Sequence, residues 1–302
     1  MRDNPEVRQA RLLVERLDRG PIDVLHLGAS ESLFTADYDV DKRTLPQMIE
    51  ADLPDGLRMH SVVGAGYHPA LYKQYVDIAA AHGSRPLVIL GLCIRLGEPA
   101  WKYHPEYSYL RPLTALRGID VAAPAKKFKA VIPPAGAADF AKHDQLIHET
   151  VIGTKTVAEF RRLLKDPVGN GLSRDEAIRL LLAYHLAATT DLEPEYLADA
   201  TALGARLREL DVPVVCYQMP IPIHQVCDVL GEEARPHILR RLKALDDAFR
   251  AGYGEVEIAQ TGSGLETEDF IDPNDGSEHV NEKGRRKITE QVIAAVGRRR
   301  EG

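Results

Sequence analysis

Compact apolar runs and amphipathic stretches alternate through the first third of the chain. Ile22 to Leu27 is one such run and stops at Gly28. Leu57 to Val63 is a second and stops at Gly64-Ala65-Gly66; Pro86 to Leu92 is a third. Short runs of aliphatic and β-branched residues without strict alternation predict parallel strands covered on both faces. Between them the period changes to that of a helix. Residues 5–18 place Ala10, Leu13, Val14 and Leu17 on one stripe, residues 44–53 form a helix closed by Pro54-Asp55-Gly56, and a helix from near Pro69 carries Tyr72, Tyr75 and Val76 before ending at Gly83. Strand and helix in turn are the pattern of right-handed βαβ units.

The period breaks at Gly97. From there to about Lys129 the chain is rich in Tyr and Pro and shows little periodicity, and two helical segments follow, over 138–165 and 174–188. Ser173, with Glu176 three residues on, reads as the N-cap of the second. The stretch 97–190 is thus expected to be a largely helical insertion, a lid or substrate wall. The α/β rhythm returns with a helix at 194–210, a strand from Val212 to Tyr217, a helix at 233–250, a strand from Glu255 to Ala259 and a helix over 283–298, leaving Arg298-Arg299-Arg300 as a solvated tail. The expectation is one three-layer α/β/α domain over 1–302, with a parallel sheet of about five strands.

Composition narrows the function classes. The 302 residues include 38 Lys+Arg against 45 Asp+Glu, a net charge of −7 that argues against a general electrostatic grip on nucleic acid or an anionic membrane. Cys93, Cys216 and Cys227 show no metal or disulfide spacing, no histidine pair has the spacing of a zinc site, and no segment approaches the roughly 18 apolar residues of a membrane span. These features predict a cytoplasmic protein with no metal and no cofactor, acting on a small molecule. The oligomeric state is left open.

Two stretches carry the candidate chemistry. Ser30 lies just past the first strand, where strand ends and helix N-termini converge in open α/β sheets. A serine there is a helix cap or a nucleophile. His279 lies in a late loop, Asp272-Pro-Asn-Asp275-Gly-Ser-Glu278-His279, immediately before a helix. A neutral imidazole oriented by a carboxylate can take a serine proton. Asp275 is the preferred carboxylate, with Asp272 and Glu278 within local reach. Small residues at Gly64 and Gly66 would let backbone N–H groups face an oxyanion. A phosphate-loop reading fails, because neither G-x-x-x-x-G-K-[ST] nor a complete G-x-G-x-x-G is present.

Taken together, Gly28-Ala29-Ser30, the glycines after the second strand and the Asp275 to His279 stretch with Asn281 and Gly284 resemble the SGNH (GDSL-like) hydrolase superfamily, whose fold is flavodoxin-like. The resemblance covers roughly residues 20–95 and 210–298. It implies Ser30 as nucleophile, His279 as base and Asp275 as the acid that orients it, with an oxyanion hole from Ser30 and Gly64 or Gly66. Ala29 stands where the family has aspartate, and Ser30-Glu31 is similar to Gly-x-Ser-Glu members that handle saccharide or cell-wall acyl groups, which puts Glu31 at the substrate. Cys93 falls nearest the family's oxyanion-hole asparagine; a thiol donates poorly, so Arg95 is the alternative donor. The 93–109 segment resembles a subgroup of saccharide and secondary-metabolite pathways, with Trp101, Tyr107 and Tyr109 as stacking surfaces or as a minor core cluster. The implied activity is hydrolysis of an ester or thioester through an acyl-enzyme. The alternatives are acyl transfer by the same residues or a relative that binds a saccharide or acyl ligand without turning it over.

Overall fold

The computed structural model describes residues 4–97, 110–128, 191–271 and 278–301, together with residues 169, 173, 175, 176, 178 and 182. Helix α1 (Pro5–Asp18) opens the chain, capped by Asn4, whose side chain accepts the N–H groups of Glu6 and Val7 at 3.0 and 3.1 Å. Strand β1 (Val24–Gly28) is buried along its whole length. Then come α2 (Leu45–Asp52), β2 (Met59–Val63), α3 (Pro69–Ala81) and β3 (Leu87–Leu92). After α4 (Leu110–Arg117), α5 (Pro194–Glu209) leads to β4 (Val214–Gln218), α6 (Ile223–Leu230), α7 (Ala234–Tyr253), the short β5 (Ile258–Ala259) and α8 (Glu282–Glu301).

The sheet is parallel throughout, in the order β2-β1-β3-β4-β5. The step from β1 to β2 runs one way and every later step runs the other, so right-handed crossovers place α2 on one face and α3, α5 and α7 on the opposite face. The packing agrees: α8 lies on α2, β4 and β5, whereas α1 meets α3, α3 meets α5 and α5 meets α7. The result is the three-layer α/β/α architecture that the apolar runs predict. Its strand order reverses between β1 and β3, and in sheets of this kind the crevice at the carboxyl ends of those two strands is where ligands bind.

Several elements differ from the sequence expectation. The fifth strand shrinks to Ile258–Ala259, and α6 occupies a stretch for which the sequence pattern predicts no element. The expected arginine tail continues α8: the Arg298 guanidinium pairs with Glu257, and Arg299 donates to the Tyr253 hydroxyl at 3.3 Å. Part of the expected insertion belongs to the body of the fold, since α4 packs on α1 and α3 and buries Leu113, Ala115 and Leu116. The Ser173–Glu176 capping box forms, with the Glu176 N–H donating to the Ser173 hydroxyl at 3.2 Å and Ser173 N–H to Glu176 Oε2 at 2.9 Å. The helix expected over 138–165 lies outside the described residues. No helix among the described residues is long and apolar enough to cross a membrane.

Helices α5 and α7 cross at two glycines. A Cβ on Gly252 would sit 2.0 Å from the Thr201 carbonyl oxygen, and one on Gly204 would sit 2.6 Å from that of Phe249. Both obstacles are backbone, so the helices would have to separate. Gly252→Ala is expected to destabilise the fold by about 3 kcal/mol, the upper end of the overpacking range, read from the urea midpoint at unchanged slope.

Candidate active site

Ser30 begins a one-turn 3-10 helix, Ser30–Ser32, directly after β1. Ala29 is extended, and the turn closes when the Ser32 and Leu33 N–H groups donate to the Ala29 and Ser30 carbonyls at 3.2 and 2.9 Å. In the register of the sheet Gly28 pairs with Val63 and Leu27 with Leu90. Gly64, Ala29 and the Leu92-Cys93 step therefore leave the sheet side by side. Gly64 is held close by the Tyr67 ring, which a Cβ would strike at 2.5 Å, and Gly66 takes a positive φ of 75° in the same turn.

Arg95 sits in the turn that follows β3 and joins two distant parts of the chain. Its Nη2 donates to Ser30 Oγ at 3.5 Å, the long end of hydrogen bonding, while its Nη1 pairs with the Glu278 carboxylate. Glu278 is buried and its neighbour His279 half-buried. The His279 ring lies on Phe34, just past the Ser30 turn, with centroids 4.0 Å apart and planes at 26°. Thus the first and last candidate stretches meet across the reversal in strand order, through Arg95 on one side and the Phe34–His279 stack on the other.

The segment around His279 is fixed from below. The Ile271 N–H donates to the His279 carbonyl at 2.9 Å, and Phe270 pairs with Val280 as an antiparallel bridge. Asn281 donates to the carbonyls of Glu268 and Phe270 at 2.7 and 3.0 Å and accepts the Gly284 N–H at 3.2 Å, closing the start of α8. Arg285, fully buried, pairs with Asp39 at 2.9 Å and donates to the Val280 and Asp41 carbonyls at 3.2 and 2.8 Å. Burial works against the Asp39 anion. The N–H groups of Glu282 and Ala36 and the Arg285 guanidinium nevertheless hold its carboxyl below the usual range.

Other expected positions fall as follows. Glu31, placed at the substrate from sequence, is buried and turned inward: its Oε1 accepts the Ala29 N–H at 3.2 Å and the Ser32 hydroxyl at 2.6 Å. Cys93 is buried, burial pushes its thiol up to about 12 against the pull of Arg95, and its carbonyl takes the Tyr196 hydroxyl. Trp101, Tyr107, Tyr109, Asp272 and Asp275 lie outside the described residues. Among the described residues no group of three or more His, Cys, Asp or Glu is placed to hold a metal ion.

Sequence reasoning missed the polar chain beneath the turn. The Ser32 and Tyr217 hydroxyls are 3.3 Å apart, and the Tyr217 hydroxyl is 3.1 Å from His26 Nε2. His26 was the available signal, a polar residue inside an otherwise apolar strand. Burial pushes His26 down to about 3. Burial pushes Glu31 up to about 7, aided by the Glu278 carboxylate and opposed by the hydrogen bonds from Ser32 and the backbone.

These two groups act on stability in opposite directions. Folded Glu31 binds its proton more tightly than the unfolded chain does, so between about 4.5 and about 7 its contribution is lost as pH rises. His26 is depressed, so its neutral folded form is penalised as pH falls from 6.5 towards about 3. Relative to wild type, Glu31→Gln should therefore gain up to about 3 kcal/mol of unfolding free energy between about pH 4.5 and about pH 7, read by urea titration at both ends. A constant difference between the two proteins would contradict the raised Glu31.

Searches against protein-family models and curated proteins find no match to the chain.

Proposed function

We propose that the chain is a serine-dependent acyl hydrolase of the SGNH type, cleaving an O-acyl ester or thioester of a saccharide or small metabolite through an acyl-enzyme. The observation that carries this reading is the convergence of Ser30, Arg95 and the Glu278-His279 step at the reversal in strand order. In the proposed cycle His279 takes the Ser30 proton as the serine oxygen attacks the carbonyl carbon, with Asp275 as the orienting acid. The oxyanion faces the Ser30 N–H, a backbone N–H of the Gly64–Gly66 turn and the Arg95 guanidinium. Arg95 brings a delocalised positive charge to a position where the resemblance expects a neutral amide. Its partner Glu278 balances that charge before substrate arrives. His279 then returns the proton to the leaving group, and water, activated by the same imidazole, releases the acid.

The test is hydrolysis of a panel of p-nitrophenyl esters and acyl thioesters by wild type, Ser30→Ala and Arg95→Met. Turnover that requires Ser30, and that falls with Arg95→Met mainly in kcat, supports the reading. Turnover indifferent to Ser30, or binding of acyl ligands with no turnover in wild type, contradicts it.

A further inference from the structure

Two strand glycines make room for one buried polar chain. A Cβ on Gly28 would lie 2.7 Å from Ser32 Oγ, and a Cβ on Gly91 would lie 2.8 Å from the Tyr217 hydroxyl. The space they leave is filled by Glu31, Ser32, Tyr217 and His26, linked by contacts of 2.6, 3.3 and 3.1 Å and drawn from the serine turn, β4 and β1. At the upper end, the carboxyl oxygen that takes the Ser32 hydroxyl also takes the Ala29 N–H, so one atom clamps the residues on both sides of Ser30. Keeping Glu31, Ser32 and His26 under a sheet end is costly unless their bonds are made, and an apolar strand end would fold more simply.

Charge gives the chain a second consequence. The groups that feel the Glu31 charge are Tyr72 from α3, Cys93 after β3, Tyr217 from β4 and Glu278 before α8. The tyrosines and the buried thiol are neutral, so among the described residues the charged groups shown against Ser30 are Arg95 and its partner Glu278. An uncharged Glu31 leaves that pair balanced. An ionised Glu31 adds a second carboxylate beside the oxygen that must become negative in the reaction, which disfavours it.

Building on the serine reading above, we propose that Glu31 is a positioning residue for Ser30: its uncharged carboxyl clamps the turn through Ala29 and Ser32, and its ionisation switches the nucleophile off at alkaline pH. The rise of the Glu31 carboxyl to about 7 places that switch close to neutrality.

The test is the rate of labelling of full-length protein by a fluorophosphonate as a function of pH. In this reaction Ser30 Oγ bonds to phosphorus, the P–F bond breaks, fluoride leaves and the serine proton passes to His279. Wild type should give a bell: a rising limb as His279 loses its proton, then a fall on the order of tenfold between about pH 7 and about pH 9. Glu31→Gln keeps the oxygen acceptor without the charge, so it should keep the rising limb and level off. Ser32→Ala removes a bond that favours the Glu31 anion, so its falling limb should move to higher pH. Neither change in profile follows if Glu31 merely fills space. A wild-type profile with no falling limb, or a falling limb that Glu31→Gln retains or Ser32→Ala leaves in place, overturns the role of Glu31 while the serine reading stands. Absence of label on Ser30 at every pH overturns both.

Discussion

Arg285→Met is expected to cost about 3–5 kcal/mol of unfolding free energy, because it removes the partner of a buried carboxylate without removing the carboxylate. Arg285 and Asp39 are both withdrawn from solvent and meet at 2.9 Å. Asp39 also collects the N–H groups of Ala36 and Glu282 at 2.7 and 3.0 Å, so it cannot turn out to water without opening the loop it organises. That loop follows the Ser30 turn, and the helix carrying Arg285 begins just after His279. The damage should therefore spread to the site: the variant should lose the proposed ester or thioester hydrolysis at temperatures where its far-ultraviolet dichroism is still native. Adding Asp39→Asn should recover part of the stability, since an amide is neutral and still accepts a backbone N–H. A loss under about 1 kcal/mol for Arg285→Met would place the pair among weak surface ion pairs and contradict its burial.

Ser30→Ala and His279→Ala carry the largest expected effect on chemistry. If the proposed cycle holds, each should lower kcat by at least about 10³-fold with little change in stability, and the double variant should be hardly worse than either one, because in that cycle nucleophile and base act as a unit. Ser30 Oγ is needed by no backbone group in its turn: the bonds that close it are Ser32 N–H to Ala29 and Leu33 N–H to Ser30, both backbone. The serine is thus not serving as a helix cap, and alanine should leave the turn in place. Independent, multiplying losses would argue that the two residues do not share one proton transfer.

The sheet was legible because strands buried on both faces must be written in apolar residues. Val24, Leu25 and Leu27, Leu87 to Leu92 and Val214 to Cys216 have little freedom to be anything else, and His26 and Tyr217 depart from the rule where their polar atoms meet each other. Legibility failed where local composition and tertiary setting disagree. Glu255 and Glu257 extend the apparent last strand, yet pairing begins only at Ile258. The sequence pattern predicts no element between the fourth strand and the helix at 233–250, yet α6 starts at Ile223 directly after Pro222, a residue compatible with a helix start. The arginines at 298–300 read as a solvated tail; Arg298 and Arg299 are exposed as expected, but the segment continues α8, with Glu257 within reach of Arg298.

At the site, the position of Ser30 followed from where a buried strand stops, and that of Arg95 from where the third one stops. The inward turn of Glu31 did not, because Ser30-Glu31-Ser32 has the composition of an exposed turn. Only the fold brings the Tyr217 hydroxyl to Ser32 beneath the turn and the Glu278 charge within range of Glu31. Arg285 and Asp39 are likewise hidden in polar runs, since a single sequence shows charge but not which charges meet. The contact of Phe34 with His279 joins residues that no local pattern could pair.

The most direct test of an activated serine is intact-protein mass spectrometry after brief exposure of the wild-type chain to a fluorophosphonate near neutral pH, followed by peptide mapping. The prediction is one adduct, on Ser30, absent from Ser30→Ala and strongly slowed in His279→Ala. No adduct on wild type, or an adduct that persists unchanged in Ser30→Ala, would contradict it.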